Sequence, residues 1–236
     1  IVIGFGGYTT GPSLIASILT GTSSAIQEQN SYPGITNRIL GKKVNLVFVA
    51  FENLERFFSK KLFCFGNPVR SNLLNISKLK SDAIKFFGLN KNKKTLLLMG
   101  GSLGSKTIND SVMNNLSIIK NSPFQILWQT GKNYYDQILS KKDLIPSNII
   151  FLPFIREMNY AYASSDIIIS RAGALAISEL CVIGKPVVLV PSPNVVEDHQ
   201  TKNALYLKSA GACEVIKDQN ARIDLIKKSF QLLNDK

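Results

Sequence analysis

Short, wholly apolar runs alternate along the chain with amphipathic stretches of helical length. The run Val187 to Val190 is apolar without alternation, which is typical of a strand buried on both faces of a parallel sheet. Ile167 to Ile169 is a β-branched run, and Thr95 to Met99 is also predicted as a strand. From Thr95 onward, strand and helix patterns alternate about six times. This half of the chain therefore predicts a doubly wound α/β domain.

The first part of the chain predicts a smaller sheet. Residues 1–65 hold only three or four strand patterns, whereas a Rossmann-like domain takes about 100 to 150 residues. Glycine and proline in the segment 66–70 then break the pattern. We expect an incomplete Rossmann-like domain at residues 1–70 and a complete one at residues 71–236. The strands predicted for the first part include Ile1–Ile3, Val44–Phe51 and Lys61–Phe65.

The stretch Ile167 to Pro191 reads as strand, small-residue turn, helix, glycine stop and buried strand. The turn residues 171–174 are small enough to let a ligand approach backbone N–H groups at a helix start, which predicts an anion site. Glu179 lies one and a half turns into the helix, within reach of a sugar hydroxyl beside a bound phosphate. The alternative is that the small residues serve only tight packing.

Other loops fall at the same predicted sheet edge. The segment 191–204 is polar and leads into a helix, so two loops converge on one cleft. The segment 100–105 is a glycine-rich loop between a strand and a helix, which favours a second anion site. It lacks the lysine of a P-loop, and no matching acidic residue ends the second strand, so a dinucleotide site is disfavoured. The glycine-rich segment 4–12 is a weaker signal, because a tight turn alone explains it.

Composition restricts the partners without choosing one. The chain has 236 residues, is 45% hydrophobic and carries a net charge of +12, so it can bury a core and favours an anionic partner. Nucleic acid is disfavoured because the lysines are dispersed, without an aromatic-interleaved patch. Three cysteines at irregular spacing fit neither a disulfide framework nor a zinc site, which indicates a reducing compartment and a role in core packing. No apolar run approaches the length of a membrane span.

Six ordered motifs, spread over nearly the whole chain, together resemble the MurG glycosyltransferases, which add N-acetylglucosamine to an undecaprenyl-linked muramyl-pentapeptide (lipid I) to make lipid II in peptidoglycan synthesis. The stretches that carry the resemblance are Gly6–Pro12, Glu28–Asn30, Gly66–Arg70, Gly100–Gly104, Ser170–Glu179 and Asp198–Ala204.

The resemblance implies a GT-B architecture, in which two Rossmann-like domains face each other across a cleft and the second holds UDP-N-acetylglucosamine. Glu179 would then hold the ribose hydroxyls, Ile155 the uracil, and the turn at residues 174–177 the diphosphate. The residues implied in donor binding are Asn30, Arg70, Ser102, Ile155, Ala174, Leu175, Ala176, Ile177, Ser178, Glu179 and Gln200.

Within that set, the resemblance implies that Ser102 lies beside the phosphates and Gln200 near the sugar hydroxyls. Asn30 and Arg70 would line the cleft from the other side. The loop implied to face the lipid-linked acceptor contains Gly6, Gly7, Tyr8 and Gly11. The implied location is peripheral, at the cytoplasmic face of the bacterial cell membrane, where a basic surface would meet anionic headgroups.

The implied chemistry is inverting transfer, in which the muramyl hydroxyl attacks the anomeric carbon as UDP departs. We expect neither a metal nor a cofactor, because no Asp-x-Asp cluster or His/Cys ligand set stands in a suitable context. The family's catalytic glycine-rich loop with a histidine is expected upstream of Ile1, so no catalytic residue is assigned. Gln27 stands where the family often has histidine, and His199 lies in the donor loop as a structural residue or a donor contact.

Three alternatives remain at this stage. The chain could bind UDP-N-acetylglucosamine without transferring it, which we expect of this chain alone if the upstream loop is needed. It could belong to another GT-B transferase with a lipid acceptor such as diacylglycerol, although the segments 28–30 and 66–70 favour the MurG type. A nicotinamide oxidoreductase is the most distant of the three.

Overall fold

The computed structural model describes residues 1–58 and 62–234, and within them it holds two parallel sheets. The first has four strands in the order β1-β2-β3-β4, and the second has six in the order β10-β9-β8-β5-β6-β7. The strands are β1 Val2–Gly4, β2 Ser24–Glu28, β3 Leu46–Val49, β4 Leu62–Cys64, β5 Thr95–Met99, β6 Gln125–Gln129, β7 Ile149–Leu152, β8 Ile167–Ser170, β9 Val187–Leu189 and β10 Glu214–Val215.

The six-stranded sheet has the strand order of a complete doubly wound fold. Read from β7, its order is third, second, first, fourth, fifth and sixth strand of the domain. The chain changes winding direction between β5 and β8, which pair directly through Leu96 and Ile167 to Met99 and Ser170. Ligands of such sheets bind at the carboxyl ends of the strands at this switch point. The predicted α/β fold class is confirmed.

Helices connect the strands of both sheets. The α-helices are α1 Thr10–Leu19, α2 Ile35–Leu40, α3 Lys80–Phe87, α4 Lys106–Met113, α5 Leu116–Lys120, α6 Tyr135–Leu139, α7 Met158–Ser164, α8 Ala174–Ile183, α9 His199–Ser209 and α10 Asp218–Asn234. Short 3-10 helices cover Glu55–Phe57, Ser71–Leu73, Ile76–Leu79, Lys142–Leu144 and Val196–Asp198.

Several predicted bounds were wrong for identifiable reasons. The apolar pattern of residues 106–119 predicts a single helix. The structure instead breaks it between α4 and α5, where the Asn115 side chain donates to the Ser111 carbonyl (2.8 Å) and the Arg222 carbonyl (3.4 Å). The sequence predicts that the first helix begins at Ser13, after Pro12, but α1 begins at Thr10. Pro12 is tolerated in the first turn because the N–H that proline lacks would have no partner within the helix there. Lys61, which begins a predicted strand, lies outside the described residues.

The core of the second sheet lies on both of its faces. Leu97 and Met99 of β5 pack in one buried cluster, and Leu96 and Leu98 pack in another on the opposite face, as the alternation of side chains along a strand requires. A third cluster around Ile26 belongs to the first sheet. The expected role of the cysteines in core packing is wrong for two of the three, since the residues at positions 64 and 181 are exposed.

The two sheets are linked by contacts across the cleft. The Ser31 N–H donates to Asn203 Oδ1 (2.8 Å), and Arg38 pairs with Glu197 (3.0 Å). The Asn67 amide donates to Ser178 Oγ (3.0 Å). The segment 71–87 contributes to the buried cluster of the second domain through Leu73, Ile76 and Ala83. The domain boundary at residue 70 stays a prediction.

The Lys185 side chain caps the carboxyl end of helix α7. Its ammonium donates to the carbonyls of Tyr162, Ala163 and Ser165. Burial lowers the pKa of Lys185 to about 8, so at pH 6 the ammonium is charged and bonds all three.

Replacing Lys185 by methionine keeps the apolar stem but leaves these carbonyls without their donor. We expect Lys185→Met to lower the free energy of unfolding at pH 6 by about 1–3 kcal/mol. Urea unfolding followed by the fluorescence of Trp128, the single tryptophan, measures this in the second domain. The exposed Lys141 is the control, and an equal loss in Lys141→Met would contradict the role of Lys185.

Candidate functional site

A cleft of about 740 Å³ opens at the carboxyl ends of β5 and β8, where the winding direction changes. It is lined by the glycine loop after β5, the turn after β8, the loop after β9 and the junction between the sheets. The residues of the predicted donor set that line it are Arg70, Ser102, Ile155, Ala176, Glu179 and Gln200. The structure therefore brings together residues that are up to 130 positions apart in the sequence.

Two helices begin at this cleft. Helix α4 starts after Ser105, whose Oγ accepts from the Ile108 N–H (3.3 Å), and Lys106 and Thr107 of its first turn line the cleft. Helix α8 starts after Gly173, and no side chain of the described part of the chain caps that end. The first amides of a helix carry partial positive charge and have no partner within the helix. Both ends therefore suit an anionic ligand.

Arg171 holds the two helix starts together and was not predicted to act there. Its guanidinium contacts Ser105 Oγ, the carboxylate of Asp218 and the carbonyl of Val190. The arginine is therefore neutralised by Asp218 and bonded on several sides. The sequence showed it only as a member of a small-residue turn, with nothing to indicate these partners.

The Glu179 carboxylate projects from α8 into the same cleft and has two partners. Its Oε2 accepts from the Tyr162 hydroxyl (2.9 Å), and its Oε1 lies 3.1 Å from Arg70 Nε. Burial raises the pKa of Tyr162 far above its usual range, and the nearby charge of Glu179 raises it further. The tyrosine is therefore a hydroxyl donor at any physiological pH.

Gln129 links the glycine loop after β5 to the backbone at Ile155, after β7. From its buried position at the end of β6, its side-chain amide donates to the Gly101 carbonyl (3.0 Å), and its side-chain oxygen accepts from the Ile155 N–H (2.9 Å). The glycine loop and the backbone at Ile155 are thus held by one side chain. Sequence reasoning missed Gln129, because it reads as one more residue of a buried strand.

Gln200 ties the other two loops together. Its side-chain oxygen accepts from the N–H groups of Ala172 (3.2 Å) and Ser192 (2.9 Å). The turn after β8 and the loop after β9 are therefore joined at the first turn of α9. This is the convergence that the polar segment 191–204 predicted.

The remaining donor candidates on α8 do not line this cleft. Ile177 is buried in the core, and its N–H is bonded to the Gly173 carbonyl (2.9 Å). Leu175 is exposed, and Ser178 Oγ faces the first domain through Asn67. Ala174 and Leu175 lie in the first turn of α8, and neither lines the cleft. Their roles stay predictions.

A second cavity of about 400 Å³ lies between the domains and is lined by three of the four residues predicted for the acceptor side. Gly6, Gly7 and Tyr8 line it, together with Asn30, which was predicted to face the donor cleft. Asn30 instead accepts from the Asn203 amide (3.1 Å) at the domain junction. Gly11 lies inside helix α1 and is buried.

Gln27 and His199 both contact neighbouring side chains. Gln27 donates to the Gly66 carbonyl (3.2 Å) and to Asn67 Oδ1 (3.3 Å). His199 Nε2 lies 3.1 Å from Glu197 Oε2 and lines the second cavity rather than the first. Among residues 1–58 and 62–234, no group of three or more His, Cys, Asp or Glu side chains is arranged to hold a metal ion.

Family models match both sheets. Residues 95–236 match the glycosyltransferase family 28 C-terminal domain, and residues 1–49 match the glycosyltransferase family 28 N-terminal domain. The chain belongs to glycosyltransferase family 28. The cleft at the end of β5 and β8 lies in the part that matches the family's C-terminal domain.

Curated relatives carry the name UDP-N-acetylglucosamine–N-acetylmuramyl-(pentapeptide) pyrophosphoryl-undecaprenol N-acetylglucosamine transferase. The one from Cytophaga hutchinsonii is 49% identical over 236 residues, covering 100% of this chain and 63% of the relative. The one from Parabacteroides distasonis is 47% identical over 237 residues, covering 100% and 64%. The chain thus spans about 63% of the length of such relatives, and the resemblance stated from its motifs is confirmed.

Solved structures agree with the fold. The crystal structure of Acinetobacter baumannii MurG superposes with a TM-score of 0.77 at 32% identity, covering 98% of this chain and 63% of that one. The predicted GT-B fold is therefore confirmed. A UDP-GlcNAc 2-epimerase from Neisseria meningitidis, solved with UDP-GlcNAc bound, has a TM-score of 0.69 at 18% identity, covering 99% and 67%, a likeness of fold alone.

Proposed function

We propose that the protein containing this chain transfers N-acetylglucosamine from UDP-N-acetylglucosamine to the muramyl hydroxyl of the undecaprenyl-linked muramyl-pentapeptide, forming lipid II for peptidoglycan synthesis. The observation that carries the proposal is the cleft at the switch point, where two helix starts and the Glu179 carboxylate face one space of about 740 Å³. The 49% identity to the Cytophaga hutchinsonii transferase supports the choice of reaction.

The cleft combines the groups that a nucleoside diphosphate sugar requires. Helix starts at α4 and α8 suit the diphosphate, and a carboxylate suits the vicinal hydroxyls of a ribose. Ile155 is buried at the far end beside Phe154, where a flat base would pack. With the base at Ile155, the ribose at Glu179 and the diphosphate at the helix starts, the sugar would lie toward Gln200 and the first domain.

The helix starts also serve the chemistry. As the muramyl hydroxyl gives its proton to a general base and its oxygen bonds to the anomeric carbon, the bond to the departing UDP breaks and negative charge grows on the UDP phosphate oxygen. Amides already aimed at that position stabilise the charge more in the transition state than in the ground state. Ala174 and Ala176 of the first turn of α8 lie at this end of the helix.

The first domain would take the acceptor. Its cavity is lined by Gly6, Gly7 and Tyr8, and the Tyr8 side chain is exposed. Because the acceptor is a lipid, we place the protein at the cytoplasmic face of the cell membrane as a peripheral protein, attracted through its net charge of +12. Within the described ranges, no helix is both long and apolar enough to cross a bilayer.

Arg70 should matter less for donor binding than Glu179. Its side chain is 55% exposed, and its visible contact is the ion pair with Glu179, a kind of contact that contributes less than about 1 kcal/mol at a surface. We expect Arg70→Ala to weaken UDP-N-acetylglucosamine binding by less than Glu179→Ala does, in calorimetric titrations of both variants. The opposite order would mean that the cleft is assigned to the wrong domain.

Transfer itself is tested by supplying the protein with radiolabelled UDP-N-acetylglucosamine and a detergent-dispersed muramyl-pentapeptide lipid acceptor, and in a parallel reaction with diacylglycerol as the acceptor. Label in the acceptor supports the proposed reaction. Donor binding without labelled acceptor would favour the binding-only alternative for this chain, and label moving only to diacylglycerol would favour a different lipid glycosyltransferase.

A further inference from the structure

Among residues 1–58 and 62–234, Tyr162 is the one buried side chain that bonds the Glu179 carboxylate. It lies in α7, is 2% exposed, and donates to Glu179 Oε2 over 2.9 Å. A buried tyrosine hydroxyl needs a partner, and a carboxylate accepts it in a short, charge-assisted bond. Since burial and the charge of Glu179 keep the hydroxyl protonated, this bond persists over the physiological pH range.

The two partners of Glu179, Arg70 and Tyr162, differ in how freely their side chains can move. Arg70 is largely exposed and comes from the junction between the domains, so it can turn away when a ligand enters. Tyr162 is buried in the core cluster of the second domain that also holds Ala161 and Leu180, so it has no such freedom. The orientation of the carboxylate in an occupied cleft therefore depends on the tyrosine.

We propose that Tyr162 is a positioning residue that orients Glu179 to hold the ribose hydroxyls of a uridine nucleotide. The inference rests on the proposed donor site. It explains what would hold the Glu179 carboxylate in one orientation toward the ribose. One oxygen of the carboxylate is engaged by the tyrosine from the core side, which leaves the other acceptor positions for the ligand. Without the hydroxyl, the Glu179 side chain can rotate and spread over several rotamers.

Titration calorimetry of Tyr162→Phe with two nucleotides tests this. The probes are UDP and 2′,3′-dideoxyuridine diphosphate, which lacks both hydroxyls that Glu179 would hold. We expect the variant to bind UDP about threefold to tenfold more weakly than the unsubstituted chain, as for one lost hydrogen bond. Affinity for the dideoxy analogue should change less than twofold, because that ligand does not use the carboxylate.

The control is Tyr160→Phe in the same helix, where the ring packs edge-on against Phe86 and away from the cleft. It should leave both affinities unchanged. Tyr162→Phe should also weaken UDP binding less when it is introduced into the Glu179→Gln variant than when it is introduced into the unsubstituted chain.

Equal losses for the two nucleotides in Tyr162→Phe would show a general structural role and overturn the inference, as would no loss for either. If the folded, unsubstituted chain bound neither nucleotide, the donor site and the inference would both be wrong.

Discussion

Glu179→Ala is expected to weaken UDP-N-acetylglucosamine binding by more than tenfold, which corresponds to about 1.4 kcal/mol or more. The carboxylate is 14% exposed and lines the cleft that two helix starts share, so its removal takes away the acceptor proposed for the ribose hydroxyls. Alanine also leaves the buried Tyr162 hydroxyl without its partner. Calorimetric titration measures the affinity, and near-ultraviolet circular dichroism checks the fold.

The matched control is Glu157→Ala. Glu157 is exposed just before α7 and does not line the cleft, so its removal should leave the affinity within twofold. An unchanged affinity in a folded Glu179→Ala variant would remove Glu179 from the site.

Gly104→Ala is expected to destabilise the second domain by about 3 kcal/mol or more, because two costs add. Gly104 has a φ of +92°, and a Cβ there would lie 2.3 Å from the Thr130 carbonyl oxygen. Gly131 packs directly against it, so neither backbone can withdraw without moving the loop that begins helix α4. Urea unfolding followed by Trp128 fluorescence reports the loss.

Gly101→Ala separates the two costs. Gly101 has a φ of +90°, but a Cβ added there has no atom within 4 Å, so only backbone strain remains, about 1 kcal/mol. If both variants lost equal stability, the close packing of Gly104 against Gly131 and Thr130 would have no part in forming the loop.

The buried strands were predictable because a short apolar run between turn residues is typical of a strand in a parallel sheet. The bounds of β5 and β7 follow from the runs Thr95–Met99 and Ile149–Leu152 alone. The break between α4 and α5 could not be predicted in this way, because the helical pattern continues through it. A side-chain contact from Asn115 to α10 accompanies the break, and that contact spans more than a hundred residues.

In the site, too, local features could be predicted from the sequence and contacts between distant residues could not. Glycine loops and small-residue turns are local features, so the helix starts at Ser105 and Gly173 could be predicted from the sequence. The partners of Glu179 could not, because Tyr162 lies 17 residues earlier on another helix and reads as a core residue. The contact of Asn30 with Asn203 could not be predicted either, since only the packing of the two domains brings these residues together; the donor role of Asn30 stays a prediction.

The most direct test of the donor site is calorimetric titration of the purified chain with UDP-N-acetylglucosamine, with UDP-glucose and NAD as comparison ligands. The cleft predicts one-to-one binding of UDP-N-acetylglucosamine, weaker binding of UDP-glucose and none of NAD. Absence of any binding by a chain with a folded circular dichroism spectrum, or equal binding of NAD, would contradict the assignment of this cleft to a uridine diphosphate sugar.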